Sequence, residues 1–226
     1  MSRSVGDSDR DGIVVLISGR GSNALAIIEA ASRDWFPARV QAVVADRSAP
    51  GIELAAARGV KTACVPRATY PDREAFEGAL AEVIDGYRPD LVVLAGFMRV
   101  LSTGFVERYL GSMVNIHPSL LPRHRGLNTH ARVLAAGDAL HGASVHWVTP
   151  ELDAGPVIAQ AQVPVEADDT EDRLARRVLE QEHRLYPAAL ALLRSDPVTY
   201  THDKPLDHPL VLDRDLDERG RIGHSR

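Results

Sequence analysis

The sequence predicts an α/β fold built on an open, doubly wound and mostly parallel sheet, and three observations carry that expectation. β-branched apolar runs alternate with stretches of helical period, which is the pattern of successive βαβ units. Runs such as Leu91-Val92-Val93-Leu94 are apolar without alternation, as strands buried on both faces require. A glycine-rich turn, Ser18-Gly19-Arg20-Gly21-Ser22-Asn23, follows the first run and opens a helical stretch, as a first βα turn should.

In chain order the strands are expected at Ile13–Ile17, Val40–Ala45, Thr62–Val65, Leu91–Ala95, Met113–Ile116, Ala143–Val148 and Val157–Val163. Helices are expected between them at Asn23–Ser32, Ile52–Arg58, Pro71–Tyr87, Thr103–Tyr109 and Asn128–Ala136. A last long helix runs from Thr170 to about Leu193, with acidic residues in its first turn to complement the helix dipole. Beyond Asp196, Pro197, Pro205 and Pro209 interrupt any period, and Asp213 to Arg226 is mostly charged. Residues 11–199 are therefore expected to form a single domain, with 1–10 a flexible extension and 200–226 a charged tail, loosely packed or disordered.

Composition excludes several classes. The chain has 226 residues, 45% of them hydrophobic, enough for a full core. Its 26 basic and 31 acidic residues are interspersed, with no basic block to track a phosphate backbone, so nucleic acid is not expected as a partner. No apolar run approaches the ~20 residues that span a bilayer, and Met1 to Arg10 lacks the apolar region of an export signal. With Cys64 as the one cysteine, no internal disulfide can form, which suits a reducing compartment; a cytoplasmic location is expected.

At the glycine-rich turn, backbone N–H groups can approach an anion at a helix N-terminus, and Ser22 and Asn23 add polar side chains suited to a phosphate monoester. Gly19, Gly21 and Ala24 also match a dinucleotide fingerprint, with Asp46 ending the next strand where a ribose-binding acid would stand. A nicotinamide-dependent oxidoreductase thus stays open beside a phosphorylated substrate, as does a non-catalytic sensor of a phosphorylated metabolite.

The chemistry is expected at Met113-Val114-Asn115-Ile116-His117-Pro118, because ligands of open α/β sheets bind at the carboxyl ends of strands. Asn115 and His117 stand two residues apart and share one face of an extended strand. An amide N–H and a protonated imidazole suit the oxyanion that develops when a carbonyl carbon is attacked, and the imidazole can also move a proton. The carboxylate missing locally is sought in Asp153, on the loop Glu151-Leu152-Asp153-Ala154-Gly155-Pro156, where it could take the proton of an attacking amine. His117, His124, His130, His141 and His146 raise a metal site as an alternative, but their spacing fits no common zinc pattern and no metal is expected. Ser144, inside a strand, is expected to be packed rather than nucleophilic.

These residues resemble the folate-dependent formyltransferases, through Asn115-Ile116-His117-Pro118-Ser119-Leu120-Leu121-Pro122 and Leu152-Asp153-Ala154-Gly155-Pro156. The resemblance extends from about Ile13 to about Pro187 and takes in Leu94-Ala95-Gly96-Phe97-Met98-Arg99, His141-Gly142-Ala143-Ser144-Val145-His146 and Gln181-Glu182-His183. It implies a Rossmann-like formyltransferase fold and direct transfer of the formyl group of 10-formyltetrahydrofolate, the cosubstrate, through a tetrahedral intermediate. A chain of this length has no room for the extra domains of the tRNA-formylating and folate-hydrolysing branches. Gly21-Ser22-Asn23 is the form of the branch that acts on the amine of glycinamide ribonucleotide in de novo purine biosynthesis.

The resemblance further implies that Asn115, His117 and Asp153 are catalytic, and that Gly21, Ser22, Asn23 and Glu182 bind the ribonucleotide. Folate would lie against Arg73, Met98, Arg99, Val100, Leu101 and Asn115, with the Arg73 guanidinium near its glutamate carboxylates. Partners would be the two small molecules, with a homodimer left open. The chain departs from the family pattern at Arg123-His124-Arg125, where an aromatic and often a proline are usual, and at Asn128, a frequent histidine.

Overall fold

Five strands run parallel: β1 (Asp11–Ile17), β2 (Ala38–Ala45), β3 (Lys61–Cys64), β4 (Leu91–Leu94) and β5 (Met113–His117). Two more follow antiparallel to their neighbours, β6 (Leu140–Trp147) against β5 and β7 (Val157–Pro164) against β6. The computed structural model describes residues 11–195 and 210–212. Residues 210–212 form β8 (Leu210–Leu212), parallel to the outer edge of β7. The sheet order is β3-β2-β1-β4-β5-β6-β7-β8. Chain order reverses between β1 and β4, so the crevice that open α/β sheets use for ligands lies at the carboxyl ends of these strands.

The apolar runs become strands because helices cover both faces of the sheet. Ile13, Val15 and Ile17 join one buried cluster, and Val14 and Leu16 the other, all fully inaccessible. Burial of each such side chain contributes roughly 1.5–3 kcal/mol, which explains why the runs show no polar alternation. The first cluster packs α1 (Ser22–Ala31) and α6 (Glu171–Ser195); the second packs α3 (Arg73–Tyr87) and α4 (Thr103–Arg108). The shorter α2 (Pro50–Ala56) lies against α1, and α5 (Thr129–Ala136) against α6.

Helix boundaries follow local chemistry. α3 begins after Asp72, not at Pro71, because the Asp72 carboxylate accepts the Ala75 N–H at 2.8 Å. Ser102 caps α4 in the same way. Tyr186 in α6 is fully buried, and its hydroxyl donates to Leu94 O at 2.9 Å and lies 3.3 Å from Val114 O, bracing the adjacent ends of β4 and β5. Of the expected 1–10 extension and 200–226 tail, only Leu210–Leu212 falls within the described residues. Among the described residues no helix is long and apolar enough to cross a membrane.

Candidate active site

β5 ends in the crevice and presents Asn115 and His117, as their two-residue spacing requires. The antiparallel register then sets His146 of β6 directly opposite Asn115, and Ser144 opposite His117. Burial pushes the pKa of His146 down, against the opposing pull of the Trp147 carbonyl, so the ring is neutral. Its Nδ1–H donates to Trp147 O at 2.9 Å, which leaves the Nε2 lone pair to accept from Asn115 Nδ2 at 3.2 Å. One amide hydrogen of Asn115 is thereby fixed and the other remains for a ligand. The sequence offers His146 only as a possible metal ligand and as part of a family motif; the strand register, which sequence does not specify, places it against Asn115.

Asp153 reaches the same place from the loop between β6 and β7. Its Oδ2 lies 3.4 Å from His117 Nδ1 and accepts the Gly126 N–H at 2.9 Å; its Oδ1 is 3.7 Å from His146 Nε2. The residue has φ 50°, a left-handed conformation that aspartate tolerates better than most side chains. Gly155 is needed for close approach, since a Cβ there would stand 1.8 Å from Trp147 O. The structure thus brings Asn115, His117 and Asp153 together, with His117 and Asp153 both largely buried.

His117 also shows an arrangement that residue spacing did not suggest. Its Nε2–H donates to His124 O at 3.1 Å, within the unusual Arg123-His124-Arg125 segment. That segment is held by charge pairs. Arg123 and His124 both meet Asp138, and Arg125 meets Glu151 at 2.7 Å, joining the loop after β5 to the loop carrying Asp153. Ser144 is packed, as expected: its hydroxyl donates to Ser119 O at 2.6 Å and accepts from Leu121 N at 3.0 Å, fixing the start of this loop. His130 and His141 pair with each other at 2.9 Å behind the loop. The five histidines are therefore divided among separate contacts, with Asp153 near both His117 and His146, and among the described residues no three His, Cys, Asp or Glu side chains are grouped to hold a metal.

Across the crevice, Gly21 adopts φ 69° at the start of α1. This left-handed turn needs glycine, and no side chain caps the helix, so its first N–H groups remain available to an anion. Asn23 is buried and its Nδ2 donates to Glu182 Oε2 of α6 at 2.6 Å, uniting two residues 159 positions apart. Burial raises the Glu182 carboxyl pKa, partly offset by that hydrogen bond. Asn23 Oδ1 is buried without a partner among the described residues, an acceptor that a ligand's donor could satisfy. Asp46, by contrast, is occupied. Although burial alone would raise its pKa, Arg47, Arg99 and Ser18 outweigh burial and hold it below the usual carboxylate range. A carboxylate already neutralised by two guanidiniums is poorly placed to receive a ribose of a dinucleotide.

The expected folate residues fall on and beside one cavity of about 300 Å³, lined by Arg67, Arg73, Phe76, Glu77, Met98, Arg99 and Val100. Met98 and Val100 are exposed there at 67% and 65%, apolar surface left uncovered among the described residues. Arg73 is tied to Glu77 at 3.4 Å and to Val100 O at 3.1 Å, while Glu77 also accepts the Ser102 N–H and hydroxyl. With Arg73 paired to Glu77 and Arg99 to Asp46, Arg67 leaves this cavity a net positive balance suited to a carboxylate. Leu101 packs instead against the core cluster beneath, and Asn115 lies in the strand-end crevice.

Residues 12–190 match the family described as formyl transferase. The phosphoribosylglycinamide formyltransferase of Escherichia coli K12 is 51% identical over 180 residues, covering 79% of this chain and 85% of that protein. That of Mycobacterium tuberculosis is 42% identical over 187 residues, covering 83% and 86%. Among solved structures, the phosphoribosylglycinamide formyltransferase of Coxiella burnetii superposes with a TM-score of 0.81 at 46% identity, covering 85% of this chain and 90% of that one.

Proposed function

Because the chain belongs to the formyl transferase family, we propose that it moves the formyl group of 10-formyltetrahydrofolate to the amine of glycinamide ribonucleotide, a step of purine biosynthesis. The single observation that carries this reading is the convergence of Asn115, His117 and Asp153 at one strand end, opposite a glycine turn with free helix N–H groups. The family requires a formyl donor derived from folate; the cavity lined by Arg73, Met98, Arg99 and Val100 has the apolar surface and positive balance to hold one. The ribonucleotide phosphate sits at Gly21, Ser22 and Asn23, and its ribose hydroxyls supply the donors that Glu182 and the orphaned Asn23 Oδ1 accept.

Attack of the amine on the formyl carbon puts negative charge on the formyl oxygen. Asn115 supports that charge with its second Nδ2–H, aimed and held by neutral His146. His117 supplies a second donor by giving up its bond to His124 O. Asp153, beside His117, takes up the proton that the amine releases. Holding both reactants in one crevice contributes through proximity, so no covalent enzyme intermediate is required.

Acceptor dependence tests this reading. Folate release should require glycinamide ribonucleotide and yield the formylated ribonucleotide in equal amount. Release at full rate without the acceptor would mean hydrolysis instead. Saturable NADH binding at the glycine turn would favour the oxidoreductase reading.

A further inference from the structure

A second cavity, of about 390 Å³, lies at the opposite edge of the sheet, where β1, β2 and β3 begin; it is lined by Arg39, Gln41, Lys61 and Tyr87 with adjoining backbone. Its volume falls in the range of small-molecule sites. Three features show that it is shaped rather than incidental. First, β1 and β2 slip register there: Ile13 pairs with Val40 and Val14 with Ala42, leaving Gln41 as the extra residue of a β-bulge. Bulges in parallel pairs are rare, and they serve to re-aim a side chain. Second, the Gln41 carboxamide lies across Gly12, where a Cβ would stand 2.3 Å from it, so the glycine makes room for this placement. Third, Arg39 Nε and Gln41 Oε1 are buried without hydrogen-bond partners among the described residues. Among the described residues, neither the Arg39 guanidinium nor the exposed Lys61 ammonium meets a carboxylate.

Arg39 and Gln41, both lining residues, thus carry an orphaned donor on a cation and an orphaned acceptor, and a ligand that is both negative and itself a donor would satisfy both once these side chains turn towards it. The carboxyl end of α3, at Gly86 and Tyr87, adds the negative end of a helix dipole, which opposes any anion and opposes least one whose own hydroxyl can donate to those carbonyls. We propose that this cavity is a second ligand site, distinct from the strand-end crevice, for a small oxyanion that carries its own hydroxyl, a phosphate or a hydroxycarboxylate.

The full chain, labelled with nitrogen-15, is titrated at pH 8 and constant ionic strength with inorganic phosphate, sulfate and lactate. Phosphate and sulfate then carry about the same charge, but only phosphate keeps a hydroxyl. The amides of Val40, Val60, Lys61 and Gly86 should shift saturably with phosphate or lactate. Whichever of the two saturates more tightly identifies the class, phosphate or hydroxycarboxylate. Sulfate should bind at least about fivefold more weakly than phosphate, because it leaves Gln41 Oε1 unsatisfied. Arg39→Met and Lys61→Met should each weaken binding at these amides about tenfold while turnover stays within about twofold. Lys61 is exposed, so its variant reports even if Arg39→Met does not fold. Shifts confined to Gly21–Asn23, shifts at Val40 and Val60 that never saturate, equal affinity for sulfate and phosphate, or variants that bind unchanged would each overturn the proposal.

Discussion

Replacing Asp153 by asparagine removes a charge and little else, so it isolates the carboxylate's contribution. Asparagine tolerates the left-handed φ of 50° as aspartate does, and its Oδ1 can still accept the Gly126 N–H. The backbone of the β6–β7 loop should therefore hold. What is lost is a negative oxygen 3.4 Å from His117 Nδ1. A full charge pair at that separation is worth about 5 kcal/mol at an effective dielectric of 20, before the cost of desolvation. If roughly half to three-quarters of this is felt in the transition state, kcat falls by about 10²–10³-fold. KM for either substrate should stay within about threefold, since Asp153 binds neither in the ground state. The assay is formyl transfer at saturating concentrations of both substrates, with thermal unfolding measured in parallel. A variant with normal unfolding and kcat within about fivefold of the parent would remove Asp153 from the proton path and leave it as the clamp on Gly126.

Glu182→Gln keeps a hydrogen-bond partner for Asn23 but loses the charged acceptor. KM for the ribonucleotide should rise about tenfold or more with KM for the folate unchanged, and equal effects on both would refute the assignment. Tyr186→Phe strips the shared donor from Leu94 O and Val114 O; Tm should fall by roughly 2–8 °C, and an unchanged Tm would refute the bracing role. Burial depresses the pKa of His141 from 6.5 to about 4, with the nearby His130 adding to the effect. The fold therefore favours the neutral ring while the unfolded chain takes up a proton. The stability associated with this group is complete above about pH 6.5 and is lost as pH falls towards 4, by on the order of 2 kcal/mol. Urea unfolding across that range should show the decline, and His141→Asn should flatten it; parallel curves for parent and variant would refute the argument.

Sequence legibility tracked locality. Strand positions such as Ile13–Ile17 and Met113–Ile116 were readable because burial on both faces demands continuous apolar residues, and each strand states that demand within itself. The pairing of Asn115 with His117 was readable for the same reason, since alternation along a strand is a property of the backbone. Asp153 was findable from a loop composition, although its distance to His117 was not. Boundaries moved where a cap decided them, as at Asp72.

Periodicity, burial and the glycine turn thus determined, from the sequence alone, the α/β class, the strand end proposed to carry the chemistry and a phosphate-suited loop. Only the tertiary structure decided that β6 runs antiparallel to β5, and with it that neutral His146 aims the Asn115 amide. It also decided that Asn23 meets Glu182, that Asp46 is already taken by Arg47 and Arg99, and that His117 is held by the carbonyl of His124. The reason is physical: alternation and capping are set by neighbours in the chain, whereas register, burial of charge and the partner of a polar atom depend on segments far apart in sequence.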